Sequence, residues 1–99
     1  MKLNAALKKV SNDGRVTIPR ELANVFDSTQ RIYVIKYSTM NDRLVLTQKT
    51  NKSNVNKVIH SFMPYNNGTV QFSLDKCIAK KDNVVIYPTK SKTVTIHCF

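Results

Sequence analysis

Tryptophan is absent from this 99-residue chain, and glycine, cysteine, proline and acidic side chains are scarce: two Gly, two Cys, three Pro and six Asp plus Glu. Two isolated glycines exclude a glycine-rich loop that cradles phosphates. Six carboxylates with no local pairing, and no Ser-His-Asp order, leave little from which to assemble catalysis, so no enzyme and no cofactor is expected. His60 and His97 stand at no metal-ligand spacing, which argues against a metal site. Cys77 and Cys98 lie far apart in otherwise apolar stretches. That usage excludes a disulfide-dense secreted domain and reads as two structural thiols, with a disulfide between neighbouring strands as the alternative. No apolar run approaches the ~20 residues of a membrane span, and the first residues lack the apolar core of a secretory signal. The expected location is the cytoplasm.

What the chain has in excess is positive charge. Sixteen Lys and Arg give a formal net charge of +10. Residues 1–50 carry nine basic and four acidic side chains and residues 51–99 seven and two, so the charge belongs to the whole fold and not to a tail. Such a surplus predicts a polyanionic partner, because neutralising phosphates releases their condensed counterions. Hydrophobic residues make up 41% and charged residues 22%, a balance that supports a packed core. The length allows one domain, or two fused half-domains.

Along the chain the dominant signal is alternation. Residues 3–11 read as a strand that ends in the turn set Asn12, Asp13, Gly14. In Arg15-Val16-Thr17-Ile18 the period of two puts Val16 and Ile18 on an inner face and Arg15 and Thr17 on the outer one. Pro19 suits the first position of a short helix and Glu21 adds negative charge to its first turn. Leu22, Val25 and Phe26 recur at helical spacing as one buried stripe over about two turns. Residues 31–37 and 43–48 then form a hairpin about Asn41 and Asp42.

Residues 50–57 are polar and Asn-rich, the composition of a solvated connection. Beyond them the programme repeats: a strand at 58–62, a turn at Asn66, Asn67, Gly68, a strand at 69–72, a short helical piece near 74–80, and a hairpin with arms at 84–87 and 93–97. Asn-Asp-Gly-Arg-Val-Thr-Ile at 12–18 matches Asn-Asn-Gly-Thr-Val-Gln-Phe at 66–72 in its glycine and both inward apolar positions. An internal duplication with a period of about fifty residues follows as an expectation. The units are then 1–50, a linker at 51–57, and 58–99, together making one domain.

The run Lys8-Lys9-Val10-Ser11-Asn12-Asp13-Gly14-Arg15-Val16-Thr17-Ile18-Pro19-Arg20-Glu21-Leu22 resembles the signature of the AbrB, SpoVT and MazE superfamily of transcription regulators: a basic strand, Gly-Arg-Val-x-Ile-Pro, then a short helix. The resemblance covers residues 5–49. The second copy is degenerate, with Thr69, Ser73 and Leu74 where the first has Arg15, Pro19 and Arg20. It implies a mainly β swapped-hairpin barrel built from two related ββαββ half-units. Two units in one chain could close a single pseudo-symmetric barrel, as in tandem members of the MraZ type, or each could pair with its counterpart in a homodimer. The intrachain version is the preferred expectation. The resemblance also implies a DNA-binding function.

Lys8, Lys9, Arg15, Thr17 and Arg20 are therefore expected to form one basic ridge facing double-stranded DNA, with Lys76, Lys80 and Lys81 extending the track in the second half. An arginine fork can grip a phosphate or the O6 and N7 of guanine, while lysine supplies point charge to the backbone. Lys36, Arg43, Lys90 and Lys92 read as solvated charge. Tyr33, Tyr37, Tyr65 and Tyr87 read as half-buried strand residues, with base stacking as the alternative. The competing function is an antitoxin-like or viral module that binds a partner protein. The related antitoxins usually carry an acidic tail, whereas here residues 93–99 read as an apolar strand, and this ranks that function second.

Overall fold

Alternating side chains build this fold layer by layer. The computed structural model describes residues 5–36, 42–49, 57–74, 77, 82–89 and 92–99. Within them lie β1 (Ala6–Lys9), β2 (Arg15–Ile18), helix α1 (Arg20–Ala23), β3 (Ile32–Lys36), β4 (Arg43–Thr47), β5 (Val58–Phe62), β6 (Val70–Ser73), β7 (Asn83–Thr89) and β8 (Thr93–Cys98). Six strands form one sheet in the order β1-β7-β8-β4-β3-β5, and β2 pairs with β6 in a separate two-stranded ribbon. Every neighbouring pair is antiparallel. The chain is mainly β, as expected.

The sheet order reads the same from either end once β1 is matched with β5, β3 with β7 and β4 with β8. Registers carry the match to individual residues. Lys8 pairs with Val84 and Ile32 with Phe62, so Lys8 occupies the place of Phe62 and Ile32 that of Val84. Across the ribbon Val16 faces Phe72 and Ile18 faces Val70, with Thr17 opposite Gln71 at the centre. The turns repeat as well. Ser11 N–H donates to Arg15 O at 3.1 Å and Gly14 N–H to Ser11 O at 2.9 Å; Tyr65 N–H donates to Thr69 O and Gly68 N–H to Tyr65 O, both at 2.9 Å. Gly14 (φ 80°) and Gly68 (φ 87°) take the left-handed conformation that lets both turns close.

One core joins everything. Ile32, Val34, Leu44, Leu46, Val84, Ile86, Val94 and Ile96 are wholly buried and pack against the inner face of the ribbon, Val16, Ile18, Val70 and Phe72, with Leu22 and Leu74. Burying a side chain of this kind stabilises by roughly 1.5–3 kcal/mol. Since β1 bonds to β7 and β4 to β8, neither half contains its own complete sheet. A radius of gyration of 12.5 Å agrees with the ~13 Å of a single domain of this length.

Three expectations need correction. The two sheets do not close into a barrel: β1 and β5 remain the outer strands of the large sheet, and β2 and β6 pair only with each other. The tight turn at residues 11–15 swings the chain from one layer to the other at the end of β1, so β2 does not run on beside it as a further strand of the large sheet. Pro19 is not the first helical residue but the cap before it. Its ψ of 143° is extended, while its carbonyl accepts the N–H of Leu22 and of Ala23. The helix is also one turn and not two, because the chain leaves it at Asn24. Val25 and Phe26 pack on the core from the following turn instead. Residues 51–56 of the expected 51–57 linker and most of the helical piece expected near 74–80 lie outside the described residues; Leu74 and Cys77 are buried there, joined by a 2.9 Å bond from Cys77 N–H to Leu74 O. The Cys77 thiol donates to Ser73 O at 3.6 Å, and Cys98 is buried in β8.

Candidate nucleic-acid interface

The strand β2 is short, and its alternation is strict: Val16 and Ile18 buried, Arg15 and Thr17 exposed. The outward face of the ribbon therefore presents Arg15, Thr17 and, from β6, Gln71 and Ser73. At a rise of about 3.3 Å per residue, Arg15 and Ile18 stand roughly 10 Å apart along the strand. A groove opens at each end of the ribbon.

The first groove, of about 190 Å³, gathers Lys8 from β1, Thr17 from β2, Pro19, and Arg20 at the start of α1, with Gly68 and Thr69 from the second turn. Three of the expected binding residues, carried by β1, β2 and α1, thus share one concavity. The second groove, of about 220 Å³, holds Arg15 with His60, Phe62, Tyr65 and Gln71. Among the described residues no acidic side chain lines either groove. The expected single ridge is accordingly divided: Lys8, Thr17 and Arg20 lie at one end of the ribbon and Arg15 at the other. Lys9 is exposed on β1 opposite Asn83. Lys76, Lys80 and Lys81 lie outside the described residues.

Arg15 is held by its own turn. Its backbone N–H donates to the Ser11 hydroxyl at 2.9 Å, and that hydroxyl donates its one proton to the Asp13 carboxylate while also lying 3.1 Å from Arg15 O. Arg15 Nε lies 3.5 Å from Asp13, and its side chain remains 51% exposed. The Ser11 hydrogen bond holds the Asp13 carboxyl below its ordinary pKa, with help from the Arg15 charge. Asp13 is thus anionic at neutral pH and competes with any phosphate for Arg15.

Gln71 bridges the two halves at the centre of the face: its Nε2 donates to the Thr17 hydroxyl at 3.0 Å, and its Oε1 accepts from the Tyr65 hydroxyl at 3.1 Å. The aromatic content of the second groove escaped the sequence reading, which placed Tyr65 among half-buried strand residues. It is 49% exposed, in the turn before β6. Tyr33 and Tyr87 are half-buried on strands, and Tyr37 lies outside the described residues. The available signal was the turn itself, since Tyr65 precedes Asn66-Asn67-Gly68 where the other copy has Ser11.

No family model, curated protein or solved structure matches the chain. Among the described residues no helix is long and apolar enough to cross a membrane.

Proposed function

We propose that this protein binds double-stranded DNA and regulates transcription, using the outward face of the β2–β6 ribbon and the grooves at its ends. The observation that carries the reading is the convergence of Lys8, Thr17 and Arg20 on one groove that no acidic side chain lines among the described residues, in a chain of net charge +10. Exposed Arg15 marks the other end of the same face. The resemblance of residues 5–49 to AbrB-type regulators supports it. So does the strand order, which is what two hairpin-exchanging half-units within one chain would produce, with β1 on β7 and β5 on β3. On this reading one chain makes a pseudo-symmetric DNA-binding unit in the cytoplasm, and Lys9 adds charge beside Lys8. Lysine and arginine contacts to phosphate set affinity and register; base reading in the major groove falls to arginine.

A fluorescence-anisotropy titration with duplex DNA tests the reading. Binding should weaken steeply with salt. Arg15→Ala, and separately Lys8→Ala with Arg20→Ala, should each weaken it. Affinity indifferent to salt and to all three substitutions would remove this face from the account. A second reading, a module that binds a partner protein, draws on Leu7, 68% exposed on the outer strand β1. A stoichiometric protein captured from nuclease-treated lysate, and lost on Leu7→Lys, would favour it.

A further inference from the structure

The two grooves occupy equivalent places yet differ in chemistry. Strand registers and turn bonds match His60 with Ala6, Phe62 with Lys8, and Tyr65 with Ser11. The His60, Phe62 and Tyr65 rings therefore stand where the first half has a small or charged side chain, and Phe72 stands where it has Ile18. Those rings are ordered as a stack. Phe72, from the core, lies parallel to Phe62 with centroids 5.4 Å apart and 11° between planes, and His60 continues the series at 6.1 Å and 23°. Tyr65 flanks the same groove, oriented by its bond to Gln71, and Arg15 supplies a cation there.

From this arrangement we infer that the second groove is a subsite for one unpaired nucleobase, stacked on the His60 and Tyr65 rings with its phosphate on Arg15. The inference rests on the DNA-binding reading above and gives the two ends of the ribbon different tasks. The Lys8–Arg20 end holds backbone, and the aromatic end takes a base that has left the helical stack. Every base has a π-face, so stacking of this kind is tolerant of sequence, and a neighbouring arginine strengthens it. Gln71 is tied by its amide to Thr17 and Tyr65, so the ring faces and the Arg15 charge, more than the edge of a base, carry recognition at this subsite. A regulator so equipped would favour sites that are bulged, mismatched or easily unstacked, where extruding a base costs least.

The test compares two short duplexes, one fully paired and one with a central single-nucleotide bulge, each titrated with the full chain at one salt concentration. The wild type should bind the bulged duplex about tenfold more tightly, whether the extra nucleotide is adenine or thymine. His60→Ala with Tyr65→Ala should abolish that preference, bringing the bulged duplex down to the affinity that the same variant has for the paired one. Tyr65→Leu, which keeps apolar bulk without a flat ring, should reduce it on its own and guards against misfolding of the double variant. A 2-aminopurine placed at the bulge should be quenched on binding wild type and stay bright with either variant. Equal affinity of the wild type for both duplexes, or a preference that survives Tyr65→Leu and the double variant, overturns the subsite while leaving the DNA-binding reading in place. Failure to bind either duplex at low salt overturns both.

Discussion

Gln71 donates its side-chain amide to the hydroxyl of Thr17 at 3.0 Å, joining the two halves of the chain at the midpoint of the ribbon they share. Thr17 and Gln71 are themselves register partners, so this bond lies where the pairs Val16 with Phe72 and Ile18 with Val70 balance each other. It crosses the outward face, where water competes for both groups. Gln71→Ala should therefore lower stability by only about 0.5–1.5 kcal/mol, read as a shift in urea midpoint with unchanged slope. A loss several times larger would mean that the ribbon depends on this polar bridge more than on the apolar face beneath it.

Two backbone positions make opposite predictions. Gly68 has φ +87° with open space around the place a Cβ would occupy, so Gly68→Ala meets no clash and should cost about 1–2 kcal/mol from left-handed strain alone. Lys92, in the turn immediately before β8, holds φ 61° with a full side chain. Lys92→Gly should relieve strain of about the same size, less the entropy that a glycine adds to the unfolded chain. Thermal melts of both variants check the pair; a stabilising Gly68→Ala would contradict the turn geometry.

The parts of this fold that were legible in the sequence are those set by local periodicity. Strict alternation located β2 and its burial pattern, and β5 was read at Val58–Phe62, the bounds it has. The glycine turns at 14 and 68 were marked by their Asn and Asp neighbours. Helix α1 was overread because Val25 and Phe26 continue a 3.6-residue spacing; tertiary packing buries them from a turn after the chain has left the helix. The layer change after β1 had no signal, since alternation says which face of a strand is buried and nothing about its neighbour. For the same reason the ridge was expected whole. Lys8 and Arg20 meet only because β1 is drawn onto β7 and α1 begins beside it, while Arg15 points into a groove built by β5 and β6. The ring stack was invisible because His60, Phe62 and Phe72 come from two strands that do not pair with each other.

Acid should weaken this protein in part through Asp13, Asp27 and Asp42. Hydrogen bonds from Ser11 to Asp13, from Thr29 to Asp27 and from His97 to Asp42 hold each carboxyl below its ordinary pKa. The His97 ring N–H donates to Asp42 at 2.9 Å, and Asp42 O accepts from Cys98 N–H at 2.7 Å, which ties the start of β4 to the end of β8. A carboxyl more acidic in the folded chain than in the unfolded one contributes stability that is fully present above the ordinary carboxylate range. That contribution drains away as the pH falls through the lowered folded value. Urea midpoints should hold from neutral pH to about pH 5 and decline below it. Asp42→Asn should flatten part of that decline. A midpoint that rises on acidification would reverse the sign required here.

Asp13 is a carboxylate paired with Arg15, and on the DNA-binding reading it works against binding. A phosphate approaching Arg15 must displace or tolerate an anion 3.5 Å from Nε. Asp13→Asn keeps a side-chain acceptor for the Ser11 hydroxyl, so the turn should survive, and it takes one negative charge off the DNA face. Exposed ion pairs are weak, which bounds the gain in duplex affinity at roughly fivefold. The gain should shrink as salt rises, because screening weakens the Asp13 repulsion along with every other exposed charge. In the Arg15→Ala background the same substitution should give less, since the competition for the guanidinium is gone and only the long-range repulsion remains. Anisotropy titrations of the single and double variants at two salt concentrations separate these contributions. Equal gains with and without Arg15 would show that Asp13 acts on the DNA directly, and that the pair in the turn has no part in recognition.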